Sequence, residues 1–548
     1  MPKVPLWVFI VLAIVYFTSV RVDVMDIDAS QYAEIAREMM ESGSYLQVYD
    51  KGVDYLDKPP FLFWVSALSM KVFGVNNFGY KFPSILFALW SLFATYRLAR
   101  ILYGENAGRM AALILGCCQG MFLWTNDIRT DTILMAWTIT AIWLIKEWDV
   151  SGKIKYLLLG SGAIAFGMMT KGPVALMVPV FCLATDWALK REWRKFLKPE
   201  YLLCLAVIGI LLVPMSIGLY QQFDQQPNKV IDGQTGVSGL KFFYWTQSFG
   251  RLTGENVWSN NAPFRFLFEN MLWAFLPWIL LFVAALILNI VGLFRQGFKL
   301  SEGQEWLTTG GFILAYVALG SSRYQLPHYI FIAFPLCAIM VAKLLKDFFE
   351  GKYGRFFSAM KVVQVLLGGL ILIAALLTFV HVFEGSGWVY VAWAASVLVW
   401  LFVLLNHRVK GKILLGSAAA IIGANVILTN HFYYELLEYQ AGSQLAEVIN
   451  ERKIPSAEIK SYKPEDALEC MHFYVQHHVK LEYTTELLDT TQYVITAANG
   501  LGDLDKSGIK YDVLHKDGYF KVSELTPDFV NPQTRRNVLK DIYLLKLR

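Results

Sequence analysis

Four polar tracts of this chain stand against apolar runs, and their residue types are those that accept protons and bind a lipid phosphate. They are a loop at 26–58, N-D-I-R-T-D at 126–131, M-T-K-G-P at 169–173 and S-S-R-Y-Q-L-P-H-Y at 321–329. Charges at the edge of hydrocarbon are costly enough to mark functional candidates. Asp28 can be read in two compatible ways. It is a helix N-cap with Gln31 as its reciprocal partner, or a general base facing the boundary between bilayer and water. Lys58, in Y-L-D-K-P-P before an apolar run, can snorkel or bind a lipid phosphate.

The elements that must position these groups follow from composition. With 56% hydrophobic and 17% charged residues among 548, and a mean hydropathy of +0.43, the chain is an α-helical polytopic membrane protein. About thirteen apolar stretches could cross roughly 30 Å of hydrocarbon, near 5–22, 78–101, 108–125, 132–148, 155–170, 173–189, 201–220, 267–294, 305–321, 327–346, 362–383, 388–406 and 412–430. Lys and Arg gather at alternate ends, as in the run Lys190, Arg191, Arg194, Lys195 and Lys198. That alternation predicts a cytoplasmic N-terminus, outer loops at 23–77 and 221–266, and an outer C-terminal domain. The four tracts then share the outer face. No small-x-small cleavage site follows Val20, so the first span reads as an uncleaved anchor.

The net charge of +5 is a topology signal and indicates no nucleic-acid partner. Five of the six cysteines lie in spans and Cys470 stands alone in the tail, which indicates neither a disulfide framework nor a cysteine metal site. Residues 1–430 form the membrane domain and 431–548 a soluble α/β domain. The latter is expected to hold helices at 437–452 and 465–477, strands at 459–462 and 493–497, and a hairpin at Lys516-Asp517-Gly518. His472, His477 and His478 read as surface residues. In the outer loop, Tyr32, Ile35, Ala36, Met39 and Met40 form an apolar stripe, so this helix is expected along the membrane surface.

The blocks D-x-x-x-Y-A-E-I-A-R-E-M at 28–39, D-K-P-P at 57–60, R-T-D at 129–131, T-K-G-P at 170–173, F-L-P-W at 275–278 and L-P-H-Y at 326–329 resemble the superfamily of protein mannosyltransferases and aminoarabinose (lipid A) transferases. These are GT-C glycosyltransferases that take a sugar from a polyprenyl phosphate. The resemblance implies Asp28 as catalytic carboxylate, Asp131 as second essential acid and Lys58 as donor-phosphate ligand. It places Lys171, Arg251 and Tyr329 in the donor cavity, with Arg323 a further cation for the leaving phosphate. Asp57, Tyr32 and His328 are the other cavity residues it implies.

Asp57 stands where the aminoarabinose transferases have Glu, and Gln31 where they have Arg. No metal-ligand histidine is identified near Trp245 and Arg251, so a divalent metal stays an open cofactor and no other is implied. The implied partners are a polyprenyl-phosphate-linked sugar, a lipid or protein acceptor and membrane lipids, at the inner (plasma) membrane with the C-terminal domain periplasmic. A protein O-mannosyltransferase-like enzyme is the alternative within the class. A transporter or flippase is the alternative outside it, but polar groups at the outer face fit it less well than polar groups at the midplane would.

Overall fold

The computed structural model describes residues 3–231, 233–247, 250, 260–301, 303–488 and 492–548. Each apolar stretch holds a helix or a bent pair of helices. The first part of the bundle comprises α1 (Leu6–Thr18), α2 (Asp28–Ser42), α3 (Phe61–Phe73), α4 (Asn77–Tyr103), α5 (Glu105–Gly116), α6 (Gln119–Asn126), α7 (Thr130–Ser151), α8 (Ile154–Lys171), α9 (Val174–Leu189) and α10 (Glu200–Leu219). Beyond them lie Phe266–Ala274, Ile279–Arg295, Leu307–Gly320, Phe334–Phe349, Gly354–Leu377, Gly387–Leu405 and Lys412–Ile427. The chain is a multi-pass membrane protein. Among the described residues, six helices are long and apolar enough to span on their own, and the pair α5 and α6, bent by 55°, makes a seventh. Length and composition alone therefore do not return thirteen. One reason is that α7 carries charged groups into the bundle, where Lys146 meets Asp149 at 3.1 Å and Asp186 of α9 at 3.6 Å.

The bend sets the site. α6 turns away from α5 at Cys117 and Cys118, and a reciprocal amide pair holds it to the Lys412–Ile427 helix. Gln119 Nε2 donates to Asn425 Oδ1 at 3.1 Å and Asn425 Nδ2 to Gln119 Oε1 at 2.9 Å. α6 then ends at Asn126, directly before the polar turn 127–129.

The C-terminal domain has a five-stranded sheet in the order Lys480–Glu482, Ile459–Tyr462, Tyr493–Ala497, Lys540–Leu547, Tyr511–Tyr519. The first three strands are parallel and the last two pairings antiparallel. Here the expected hairpin is overturned. Lys516, Asp517 and Gly518 lie inside a strand, opposite Tyr543, Ile542 and Asp541, because the partner strand arrives from the chain end rather than from a local turn. The helices run at Gly442–Glu451 and Glu469–Val475. His472 is buried, not on the surface, and its Nδ1 accepts a hydrogen bond from Val479 N at 3.2 Å.

α2 does not lie open on the membrane surface. Its stripe of Tyr32, Ile35, Ala36 and Met39 is buried, with α3 and the Glu469–Val475 helix as its packing partners. Glu34 and Arg37 are buried too, joined at 2.5 Å, and Arg37 Nη1 reaches the carbonyl of Gln476 at 3.2 Å. The helix is sandwiched between the membrane bundle and the C-terminal domain.

Candidate active site

Two cavities flank the segment Pro327–Ala333, a 3-10 turn whose successive residues face different ways. Tyr329 lines the first and His328 the second. The first cavity encloses about 860 Å³, open mouth included, and Lys58, Asp131 and Lys171 stand on a wall otherwise built from Leu134, Val174 and Phe181. The second encloses about 1940 Å³ and carries Asp28, Asp127 and Arg129.

On the first cavity, Gly172 ends α8 with φ +93°, a left-handed conformation that favours glycine, and leaves Lys171 as the last helical residue. Lys171 Nζ donates to Asp131 Oδ1 at 2.6 Å and sits 4.3 Å from the Tyr329 ring centroid. His328 Nε2 approaches the other oxygen of Asp131 at 3.6 Å, so Asp131 ties the two cavities together. Lys58 forms an ion pair with Asp57, whose main-chain carbonyl accepts from the Gln247 amide.

On the second cavity, Asp28 is not the N-cap of α2, a place taken by Ile27, but its first residue. Nor is Gln31 its partner, since Gln31 Nε2 donates to Asp50 Oδ2 at 2.8 Å. The cap reading is thus overturned. The carboxylate is instead gripped by Arg129 Nη1, while Arg129 Nε donates to Asp127 Oδ2 at 2.8 Å. Burial works against the Arg129 charge, but Asp127 and Asp28 outweigh it and hold its pKa above the ordinary value.

The approach to Asp28 is clamped by three side chains. Lys81, fully buried in α4, donates to the carbonyls of Ser19 at 3.1 Å, Val22 at 2.7 Å and Asp23 at 3.2 Å. From the C-terminal side, Gln440 brackets Asp26 N at 2.8 Å and Val24 O at 2.9 Å, and Tyr474 Oη accepts from Val24 N at 2.8 Å. Burial, with Glu469 nearby, pushes the Asp26 carboxyl up to about 7.

The structure therefore brings together Asp28, Asp131, Lys58, Lys171, Tyr329 and His328 around one partition. Tyr32 lines neither cavity but lies behind them, near enough to Asp28 and Arg129 to feel their charge, and is buried 5.9 Å from the Phe63 ring in an edge contact, because the stripe that carries it packs onto α3. Arg323 is exposed and lines neither cavity, its carbonyl accepting from Asn260 N and Asn261 N at 3.3 Å. Arg251 lies outside the described residues. Among the described residues no group of three or more His, Cys, Asp or Glu side chains could hold a metal. Sequence reading marked Asp127 and Arg129 only as part of a polar tract, with no role for either, and missed Lys81. A lone lysine inside an apolar span was the available signal for the last of these.

Fold and partition together define a GT-C type membrane glycosyltransferase. A family model described as dolichyl-phosphate-mannose-protein mannosyltransferase matches residues 57–217. An undecaprenyl phosphate-alpha-4-amino-4-deoxy-L-arabinose arabinosyl transferase from Edwardsiella ictaluri is 26% identical over 80% of this chain and 76% of its own length. A Serratia proteamaculans protein of the same description is 24% identical over 66% of this chain and 63% of its own. The crystal structure of ArnT from Cupriavidus metallidurans bound to undecaprenyl phosphate superposes with a TM-score of 0.75, at 16% identity, over 98% of this chain and 97% of that one. The chain is thus similar to the aminoarabinose transferases over most of its length and shares the fold of ArnT.

Proposed function

We infer that this enzyme moves a sugar from a polyprenyl-phosphate donor to a lipid A-type or other cell-envelope acceptor, with inversion, at the outer face of the inner membrane. The observation that carries the reading is the partition itself, where a cationic, lipid-compatible cavity and a carboxylate-bearing cavity meet at Asp131 and His328. The apolar wall takes the polyprenyl chain, and Lys58 and Lys171 exchange their carboxylate partners for the donor phosphate. As the bond from the anomeric carbon to the phosphate oxygen breaks, these cations stabilise the leaving group. The acceptor enters from the opposite cavity, and Asp28, held by Arg129, takes its proton where it has one. Bringing both substrates to one wall supplies much of the rate. The relatives' names make a pentose, 4-amino-4-deoxy-L-arabinose, the first sugar to test.

The test is transfer by the full-length protein in proteoliposomes, using undecaprenyl phosphate-linked radiolabelled aminoarabinose and, beside it, a labelled polyprenyl-phosphate sugar pool from the producing cells. Release of polyprenyl phosphate together with label on an envelope acceptor is expected. Intact donor in every arm would defeat the reading.

A further inference from the structure

A third cavity lies away from the partition, where three spans end beside the C-terminal domain. The spans Gly354–Val382 and Gly387–Leu405 are joined there by a turn at 383–386, and Lys412–Leu437 is the third. Phe383 in that turn packs on Phe529 and Arg535 of the C-terminal domain. The cavity encloses about 1380 Å³, open mouth included. Trp388, in the first turn of its helix, lines it together with Ala392 and Val426, which stand deeper in the apolar spans. It is separate from the second cavity. Phe432, Tyr433 and Leu436 line that one, whereas His431, Tyr434 and Glu435 of the same segment line this one.

The charges on this cavity do not satisfy one another. Among the described residues, neither the Arg21 nor the Glu384 side chain makes an ion pair or a hydrogen bond. Glu435 comes within 3.8 Å of His431 Nδ1, too far for a hydrogen bond, while His431 Nε2 donates to the Phe383 carbonyl at 3.0 Å. One guanidinium and two carboxylates thus stand at the edge of hydrocarbon, where uncompensated charge is costly. A lipid with only an anionic headgroup would meet Arg21 but add repulsion to both carboxylates. A choline headgroup brings a cation for the Trp388 ring but no N–H for the carboxylate oxygens. A phosphoethanolamine headgroup brings phosphate oxygens for the guanidinium and an ammonium with three N–H donors for the carboxylates. Its acyl chains would lie along the helix Gly387–Leu405, of whose apolar stretch only 6% is buried.

We propose that this cavity binds a membrane phospholipid with a phosphoethanolamine headgroup, the phosphate on Arg21 and the ammonium between Glu384 and Glu435, in the leaflet on the side of the C-terminal domain. The assignment is independent of the transfer reading, because binding makes and breaks no covalent bond and is measured without a sugar donor.

The experiment loads the full-length protein in detergent with an equal mixture of phosphatidylethanolamine, phosphatidylcholine and phosphatidylglycerol, washes it, and counts retained lipid by mass spectrometry. Wild type is expected to retain phosphatidylethanolamine in excess over the other two. Arg21→Gln and Glu384→Gln each remove one charge-assisted contact from an exposed side chain, so the excess should fall about tenfold at an unchanged melting midpoint. Free glycerophosphoethanolamine, which has the headgroup but no acyl chains, should displace little of the lipid. Equal retention of the three lipids by wild type, or a phosphatidylglycerol excess, would overturn the proposal whatever the variants do. An excess that both variants keep would place the lipid elsewhere on the protein, and full displacement by the free headgroup would show a site for a soluble ligand; either result overturns it as well.

Discussion

At the scale of single residues, the clearest structural fact is the grip of Arg129 on Asp28, because it makes base and cap distinguishable. Asp28→Asn keeps the side chain's shape but removes its charge and basicity. As Asp28 is not the N-cap of α2 and its side chain is 38% exposed, the melting midpoint in detergent should hardly move. Single-turnover transfer should fall by about two to four orders of magnitude. Near-normal transfer would send the search for a base elsewhere. Arg129→Gln is a harsher change. It leaves Asp127 without its cation in a poorly solvated place, so it should lose both transfer and roughly 3 kcal/mol of stability, read by the same two assays. For the donor, Lys58→Ala and Lys171→Ala each remove a charge-assisted contact of about 1.5–3 kcal/mol, which predicts a 10- to 100-fold higher donor KM. Unchanged donor kinetics in both, at normal expression, would leave the lysines as structural ion-pair partners of Asp57 and Asp131.

At the scale of elements, the helices were legible because hydropathy is a local property, and every apolar stretch coincides with a helix or bent pair. The parallel strands Ile459–Tyr462 and Tyr493–Ala497 were legible as short segments between turns, the second of them largely apolar. What was not legible depends on long-range partners. The Asp-Gly turn signal at 517–518 lost to a strand arriving from 540–547, His472 was buried by a domain fold with no local signature, and Arg129 meets Asp28 across 101 positions. Local motifs could therefore nominate Asp28, Lys58, Asp131 and Lys171, but not say what holds them. Lys81 is the test of that holding. Its ammonium satisfies three carbonyls where α1 gives way to the segment before α2. In Lys81→Met these carbonyls lose their buried donor, at roughly 1–3 kcal/mol for each left unsatisfied. A lower melting midpoint and slower transfer are expected together, since the same segment delivers Asp28. Full transfer by this variant would mean that α2 is positioned without it.

At the scale of the whole molecule, two experiments bear on how the parts sit. The alternation of basic residues predicts an external reporter fused after Arg548 and a cytoplasmic one inserted near Lys195. A cytoplasmic reporter at the C-terminus would overturn the outward site. The second experiment concerns the seam between bundle and C-terminal domain, where Asp26 is buried with Glu469, Cys470 and Ser30 around it. Burial raises its pKa from 3.8 in the unfolded chain to about 7 in the fold. Between those values the folded state binds the extra proton, so stability falls as pH rises, and the full cost is present above pH 7. A shift of this size corresponds to a few kcal/mol, on the order of 1.4 per pKa unit. Other groups titrate as well. His472, pressed down to about 3 chiefly by burial, costs stability on the acid side as pH falls below 6.5, so the wild-type curve alone is ambiguous. The difference between wild type and Asp26→Asn cancels that contribution. Melting curves from pH 4 to pH 8 should show the Asn variant gaining on wild type through the interval and levelling off above pH 7. A difference that stays constant with pH would show that Asp26 is solvated or paired with a cation in the folded protein, and not held at the seam as a carboxyl that burial raises.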